Sequence, residues 1–407
     1  MVWAEPGRHR SPGPAGPRGP MIDVLAIANY RSLLRLVLPM GRLTVITGAN
    51  GSGKSNLYRA LRLLAETGRG GVVRAVAREG GLQSTLWAGP EELSRRMRTG
   101  DVGVQGGPRS RTVRLRLGFV GADFGYSIAL GLPAPSSSAF ALDPEIKHEA
   151  IWAGPVARPS SLLVERKGPV VRSREGREWR VIAGELSAGD SLFDQTAHPA
   201  ALPEVHHLRQ SIRRWRFYDQ LRTDREAPAR QPQLGTRTEV LHHDGRDLAA
   251  ALQTVREIGD REALERTIAD AFPGSGLEVV ARDDGRFAIE LRQEGLLRPL
   301  RAAELSDGTL RFLLWTAALL TPRPPSLMVI NEPETSLHPD LIPPLARLLV
   351  RAARDARVWV VTHSAPLAAA LQASEACRTI ELAKELGATQ AVGQRSLDEP
   401  PWRWPDT

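Results

Sequence analysis

The chain is poor in several features, and each scarcity narrows what it can be. It has one cysteine, Cys377, so no intrachain disulfide can form, which suits a reducing, cytoplasmic setting. No apolar run approaches the ~20 residues that a bilayer crossing needs. The longest candidate, Leu310 to Leu320, is broken by Arg311 and reads as a buried helix, so no membrane is expected among the partners. Lysine is nearly missing: Lys54, Lys147, Lys167 and Lys384 are the four among 54 basic residues. There is no internal repeat and no sustained heptad pattern, which excludes long coiled-coil arms.

What is present is a chain of 407 residues, 42% hydrophobic, enough for one large or two interleaved packed domains. The formal charge of +8 and the pI near 10.3 favour polyanionic partners, DNA first. The arginine bias has a second source in GC-rich coding, so charge alone does not decide between them. Residues 1–20 are rich in Pro, Gly and Arg, lack the apolar stretch of a signal peptide, and are expected to be a disordered extension. Met21 opens the first patterned segment and is a second candidate start.

From Met21 the segments IDVLAIANY, LRLVLPM and RLTVITG read as strands, and a helix follows Lys54 with Leu57, Leu61 and Leu64 on one face. Residues 112–182 change to short alternating segments with Gly, Pro and Ser turns, the texture of antiparallel strands. Residues 203–222 predict a helix with Leu208, Ile212, Trp215 and Tyr218 as its apolar stripe and Arg209, Arg213, Arg214 and Arg216 off it. Two helical stretches lie in 246–272, and 277–293 alternate again. After Leu300 helix and strand alternate: helix 308–320, strand 326–331, helix 340–354, strand 357–361. The fold class is α/β. The expected organisation is a head of 21–80 plus 297–385, an α+β insertion over 81–296, and a loose tail over 386–407 whose tryptophans suggest no chemistry.

Gly48-Ala49-Asn50-Gly51-Ser52-Gly53-Lys54-Ser55 matches G-x-x-x-x-G-K-[ST], between a predicted strand and a predicted helix. Glycines let such a loop curl so that backbone N–H groups face phosphate oxygens, and a helix N-terminus adds positive potential. Lys54 would neutralise the β- and γ-phosphates of ATP, and the Ser55 hydroxyl would ligate Mg2+. The apolar run 326–330 ends in Asn331-Glu332. A carboxylate at such a strand end holds the Mg2+ water shell, and a following Glu polarises the attacking water. Asn331 offers an amide oxygen without charge, which predicts weaker metal affinity and slow turnover. Leu305-Ser306-Asp307-Gly308 precedes an apolar helix that Ser306 can cap. The strand 358–361 ends in Thr362-His363. Taken singly, these segments read as a loop start, a capped helix and a structural histidine; their order along the chain is what argues for a nucleotide site.

These residues resemble the ABC-type ATPase heads of the RecF/SMC class. Gly48–Ser55, with Asn56 following, looks like Walker A, Leu305–Gly308 like the signature, Leu327–Glu332 like Walker B, Ser336–Pro339 like the D-loop and His363 like the switch histidine. Ala28–Ser32 is similar to the N-F-R-S segment that opens such proteins, which carries Arg31 to the nucleotide. NEPETSLHP with THS is also similar to bacterial standalone "predicted ATPase" proteins often labelled AAA family ATPases. The resemblance covers roughly 40% of the chain, with Asn331 in place of the usual Asp and only Gln83 as a Q-loop candidate for the metal. It implies a P-loop fold split by an insertion, and a homodimer in which two ATPs are each held by Walker A of one subunit and by Ser306, Asp307 and Gly308 of the other. Glu332 would then place the water and His363 would sense the γ-phosphate.

Two settings follow. One is a DNA-acting ATPase in repair or genome maintenance. The other is an ATPase subunit that controls a separate nuclease or effector in a defence or toxin-like system. A transporter subunit is set aside because the distance from Walker A to signature is too long. His206-His207 and His242-His243 are not expected to bind metal, since neighbours on a helix or strand point apart.

Overall fold

Two strand textures in the sequence become two kinds of sheet. The computed structural model describes residues 22–90, 94–98, 101–103, 113–135, 137–194, 202–219, 221–395 and 398–406. The segment 1–20, expected to be disordered, lies outside them. Strands β1 (Val24–Tyr30) and β2 (Leu33–Pro39) form a hairpin, and β3 (Leu43–Thr47) leads into helix α1 (Lys54–Thr67). Short helices α2 (Val72–Arg78), α3 (Gly81–Thr85) and α4 (Arg95–Arg98) follow. Then come β4 (Leu115–Val120), β5 (Phe124–Gly131), β6 (Glu145–Ala153), β7 (Leu162–Lys167), β8 (Val170–Glu175) and β9 (Glu178–Ala183). Helix α5 (Pro203–Arg213) precedes β10 (Arg216–Tyr218) and β11 (Gln233–Leu234). Helices α6 (Leu248–Ile258) and α7 (Arg261–Ala271) lead to β12 (Gly276–Ala281), β13 (Arg286–Arg292) and β14 (Leu300–Arg301). The last part alternates: α8 (Asp307–Leu319), β15 (Leu327–Asn331), α9 (Ile342–Ala352), β16 (Arg357–Val361), α10 (Ala365–Gln372), then β17 (Cys377–Glu385) and β18 (Ala388–Ala391).

Among the described residues, an antiparallel sheet runs β2-β1-β4-β5-β6-β7-β8-β9, and a second sheet runs β10-β15-β16-β3-β17-β18. In the second, β10, β15, β16, β3 and β17 are parallel and only β18 runs back. Its strands β3, β15 and β16 are buried on both faces, so they read as continuous apolar runs. On β16, Trp359 and Val361 point into the core shared with α1 and the antiparallel sheet, while Val358 and Val360 point into the core under α6, α8 and α9. This period of two sets the layers: antiparallel sheet, α1, parallel sheet, helices. Helix α1 contributes Leu57, Leu61 and Leu64, the predicted stripe, to the first core.

Three expectations change. The tail 386–407 is not loose over its described residues. Ala388–Ala391 is strand β18, Trp402 packs edge-on against buried Trp152, and Glu399 and Asp406 pair with Arg35 and with Arg114 and Arg116. Aromatic and ionic partners far away in sequence hold it, which local composition does not reveal. The helix of 203–222 stops at Arg213, because the next residues pair in parallel with β15, Arg216 opposite Met328 and Tyr218 opposite Ile330. Trp215 and Tyr218 are buried, but in two different cores. Aromatic residues beside a partner strand favour pairing over helix continuation. Finally, strands from 115–183 extend the sheet that β1 and β2 begin.

Candidate functional site

The C-terminal ends of β3, β16 and β15, three neighbours in one parallel sheet, carry the phosphate loop, Thr362-His363 and Asn331-Glu332. Ligands of open parallel sheets bind at such ends. Gly48, Gly51 and Gly53 all have positive φ (139°, 78° and 109°), which a side chain would strain. A Cβ on Gly53 would also run into Thr389. Gly53 forms the N-cap of α1 with no side-chain cap, and the first turn has no acid. The leading N–H groups of α1 are therefore left for an anion, with the helix dipole in support. Lys54 is 8% exposed, and its Nζ donates to Gly48 O (2.5 Å) and Ala49 O (3.0 Å). The Ser52 hydroxyl is buried without a partner, as a cradle awaiting a polar ligand requires. Ala49, Asn50 and Ser55 are exposed around the loop.

At the end of β15, Glu332 leaves extended backbone with φ 48°, a conformation that costs about 1 kcal/mol or more outside glycine. Its N–H is held by Val361 O at 2.8 Å. Its Oε1 then lies 3.3 Å from Nδ1 of His363, and both side chains are open to solvent. Glu334 is differently occupied. The Thr362 hydroxyl and the Ser364 N–H donate to its Oε1, so this carboxylate braces β15 to β16. The other oxygen of Glu334 is buried without a partner among the described residues, whereas the Glu332 carboxylate is open to solvent. The Asn331 side chain, half-buried at the strand end, forms no hydrogen bond among the described residues.

Ser306 caps α8 through Thr309 N–H (3.1 Å), and both Ser306 and Asp307 are exposed. Gly308 packs tightly on the loop after β15: a Cβ there would come 2.9 Å from Ser336 O. Ser336 itself has φ 64°. Sequence reasoning missed Arg230, which organises this loop. It is 8% exposed and donates to Leu305 O (2.7 Å), Thr223 O (2.8 Å) and Asp307 Oδ1 (2.6 Å). Its signal, an arginine between Ala229 and Gln231, has no period and no neighbour in the motif. By pairing with Asp307 it also neutralises the one negative charge in the first turn of α8.

Two predicted residues stand elsewhere. Arg31, with φ 48°, points to Glu79 (2.8 Å), which Tyr30 OH also reaches at 2.6 Å. Burial and then the Glu79 hydrogen bond raise the Tyr30 pKa. It is the next residue, Ser32, that meets the phosphate-loop region, accepting from Asn56 Nδ2 at 2.8 Å. Gln83 is exposed on α3 and makes no hydrogen bond among the described residues.

The expectation that His242 and His243 point apart does not hold. His242 and His243 lie in an irregular turn, and their rings stack at 4.1 Å instead of pointing apart. With Asp244 they bring three possible ligand atoms together. Asp244 and Arg246 occupy both ring nitrogens of His242, at 2.6 and 2.9 Å. Burial, and then His242, lower the His243 pKa; Arg62 and Arg246 add to this, a positive surrounding that opposes a cation.

Sheet order, phosphate loop and the Glu332–His363 pair define a P-loop ATPase of the ABC-head kind. The family described as "AAA domain, putative AbiEii toxin, Type IV TA system" matches residues 43–370, and the chain belongs to it. Among solved structures the chain is similar to an Smc head bound to the C-winged helix domain of ScpA, with 15% identity, 92% of this chain and 98% of that chain covered, and a TM-score of 0.47. It is similar to an Smc head from Pyrococcus furiosus bound to the C-terminal domain of ScpA (13% identity, 92% and 96%, 0.47). It is also similar to the SMC head from Thermotoga maritima (14%, 92% and 99%, 0.43). Compared with curated proteins, the chain matches none. No helix among the described residues is long and apolar enough to cross a membrane.

Proposed function

We propose that the protein binds ATP in the Gly48–Asn56 loop and hydrolyses it with Glu332 as the base. The observation that carries this reading is the convergence of the loop, Glu332 and His363 on the ends of three adjacent parallel strands. On binding, Lys54 Nζ exchanges the carbonyls of Gly48 and Ala49 for phosphate oxygens, and the unpartnered Ser52 hydroxyl and the α1 N–H groups complete the cradle. Glu332 takes a proton from the attacking water as it adds to the γ-phosphorus, and the ADP oxygen leaves with the electron pair. His363, with Nδ1 3.3 Å from Glu332 Oε1, would sense the γ-phosphate. Ser55 Oγ and, through a water, Asn331 Oδ1 are hard oxygen donors of the kind that would suit Mg2+. Mg2+, when bound, would neutralise charge on the β- and γ-phosphates; Asn331 in place of an acid makes that hold weak.

The dimer is part of the same reading. The α8 N-terminus is exposed at Ser306 and Asp307, with Asp307 neutralised by Arg230, so an incoming phosphate from a second copy meets donors and not a free carboxylate. Two copies would then share two ATPs across a two-fold axis. The test is sizing of Glu332→Gln with ATP: a dimer that wild type does not hold supports it, and a monomer at saturating ATP contradicts it.

Of the two settings, we infer the toxin-like one, in which ATP state governs a separate nuclease or effector partner. The family's own description supports it. The DNA-repair setting draws on the +8 charge and on Arg213, Arg214 and Arg216, which form no ion pair among the described residues. Hydrolysis stimulated severalfold by duplex DNA at physiological salt would favour repair instead.

A further inference from the structure

Thr389 lies on β18, 337 positions after Ser52, yet it touches the phosphate loop. The residue is 1% exposed, and its hydroxyl donates to Ser52 O at 2.9 Å. It also lies 2.7 Å from Ser32 Oγ, and Asn56 Nδ2 is 2.8 Å beyond that. The proton order in this relay is fixed by its ends. A carbonyl oxygen only accepts, so Thr389 must give its hydrogen to Ser52 O. Its lone pair must then accept from Ser32 Oγ–H, and Ser32 in turn accepts from the Asn56 amide. The backbone repeats the link, with Thr389 N donating to Ser32 O at 2.7 Å.

From this geometry we infer that Thr389 is a positioning residue of the ATP site: it sets the Ser52–Gly53 peptide so that the Gly53 N–H faces the phosphate. The inference rests on the ATP reading above. In a trans planar peptide the carbonyl and the following N–H point opposite ways, and no cis bond occurs among the described residues. Holding Ser52 O against Thr389 therefore turns the Gly53 N–H away from β18, into the loop. Gly53 has φ 109° and no Cβ, so nothing else in its own residue resists rotation of that peptide. The Thr389 methyl and hydroxyl fill the space a Gly53 Cβ would need, which closes the floor beneath the peptide. The relay further ties the loop to the β1–β2 turn through Ser32 and to the first turn of α1 through Asn56. Loop, first helix turn and C-terminal hairpin thus hold one another before nucleotide arrives.

The test compares wild type, Thr389→Val, Thr389→Ser and Ser32→Ala by ATP titration and by thermal unfolding without nucleotide. Valine keeps the shape and loses the donor. It is expected to weaken ATP binding about three- to tenfold, the worth of one neutral hydrogen bond. Serine keeps the donor and should bind within about twofold of wild type. Ser32→Ala cuts the relay one step back and should weaken binding about threefold. Should Thr389→Val not fold, Ser32→Ala decides. Equal ATP affinity in the folded variants, with only the unfolding temperature lowered, overturns the inference and leaves Thr389 a packing residue. Absence of ATP binding by wild type would overturn the ATP reading itself, a separate result.

Discussion

Oε1 of Glu332 and Nδ1 of His363 stand 3.3 Å apart across the ends of two paired parallel strands. The register that pairs Asn331 with Val361 sets Glu332 beside Thr362, one residue short of His363, and Glu332 leaves the strand there with a φ of 48°. Glu334 is held by Thr362 and Ser364 and so does not compete for the role. Glu332→Gln should lower turnover about 100-fold or more while ATP still binds, the usual worth of a general base. Glu334→Gln should instead lower stability, read as the unfolding midpoint, because it weakens the brace between β15 and β16.

Arg230→Ala should destabilise the protein by about 3 kcal/mol, since it strips donors from the carbonyls of Thr223 and Leu305 and leaves Asp307 unpaired. Arg230→Lys should recover only part of this, because an ammonium cannot reproduce the planar fork. Urea unfolding measures both. A change under about 0.5 kcal/mol for the alanine variant would show that the clamp contributes nothing.

Acid sensitivity should trace in part to Glu165. Burial alone would raise its pKa, but hydrogen bonds from His148, Arg172 and Lys167 overcome this and bring it from 4.5 down to about 2. A depressed folded pKa gives stability that is present above 4.5 and lost as pH falls toward 2. Glu165→Gln should therefore unfold more readily at pH 7 and show a shallower loss of stability between pH 4.5 and 2. Parallel slopes for the two proteins would contradict this.

The C-terminal segment should be separable from the nucleotide site. A chain ending at Arg395 keeps β18 and Thr389 but loses the Trp402–Trp152 packing and the pairs of Glu399 and Asp406. It should lose about 2 to 4 kcal/mol of stability and keep ATP affinity within about twofold of the full chain.

What the sequence showed and what it hid follow one physical divide. The phosphate loop was legible because its chemistry is local: glycines, a lysine and a helix start within eight residues. Helices α6 to α9 and strands β15 and β16 were legible because their apolar periods lie within one element; α10, eight residues long, was not. Arg230 and Thr389 were not, because each reaches a loop more than 70 residues away through side-chain hydrogen bonds that leave no pattern in the sequence. Strand β10 was hidden for the same reason: only pairing with β15 makes Arg216–Tyr218 extended. The stacking of His242 on His243 is hidden because the chain makes a turn there, where the side-chain directions of a regular helix or strand do not apply.

Phosphate release from ATP, followed for wild type beside Lys54→Ala and Glu332→Gln, tests the central claim most directly. The account predicts slow, Mg2+-dependent release by wild type. Lys54→Ala should show neither release nor tight binding, and Glu332→Gln binding with release lowered about 100-fold. Release by Glu332→Gln at the wild-type rate, or ATP affinity of Lys54→Ala within about twofold of wild type, would contradict it.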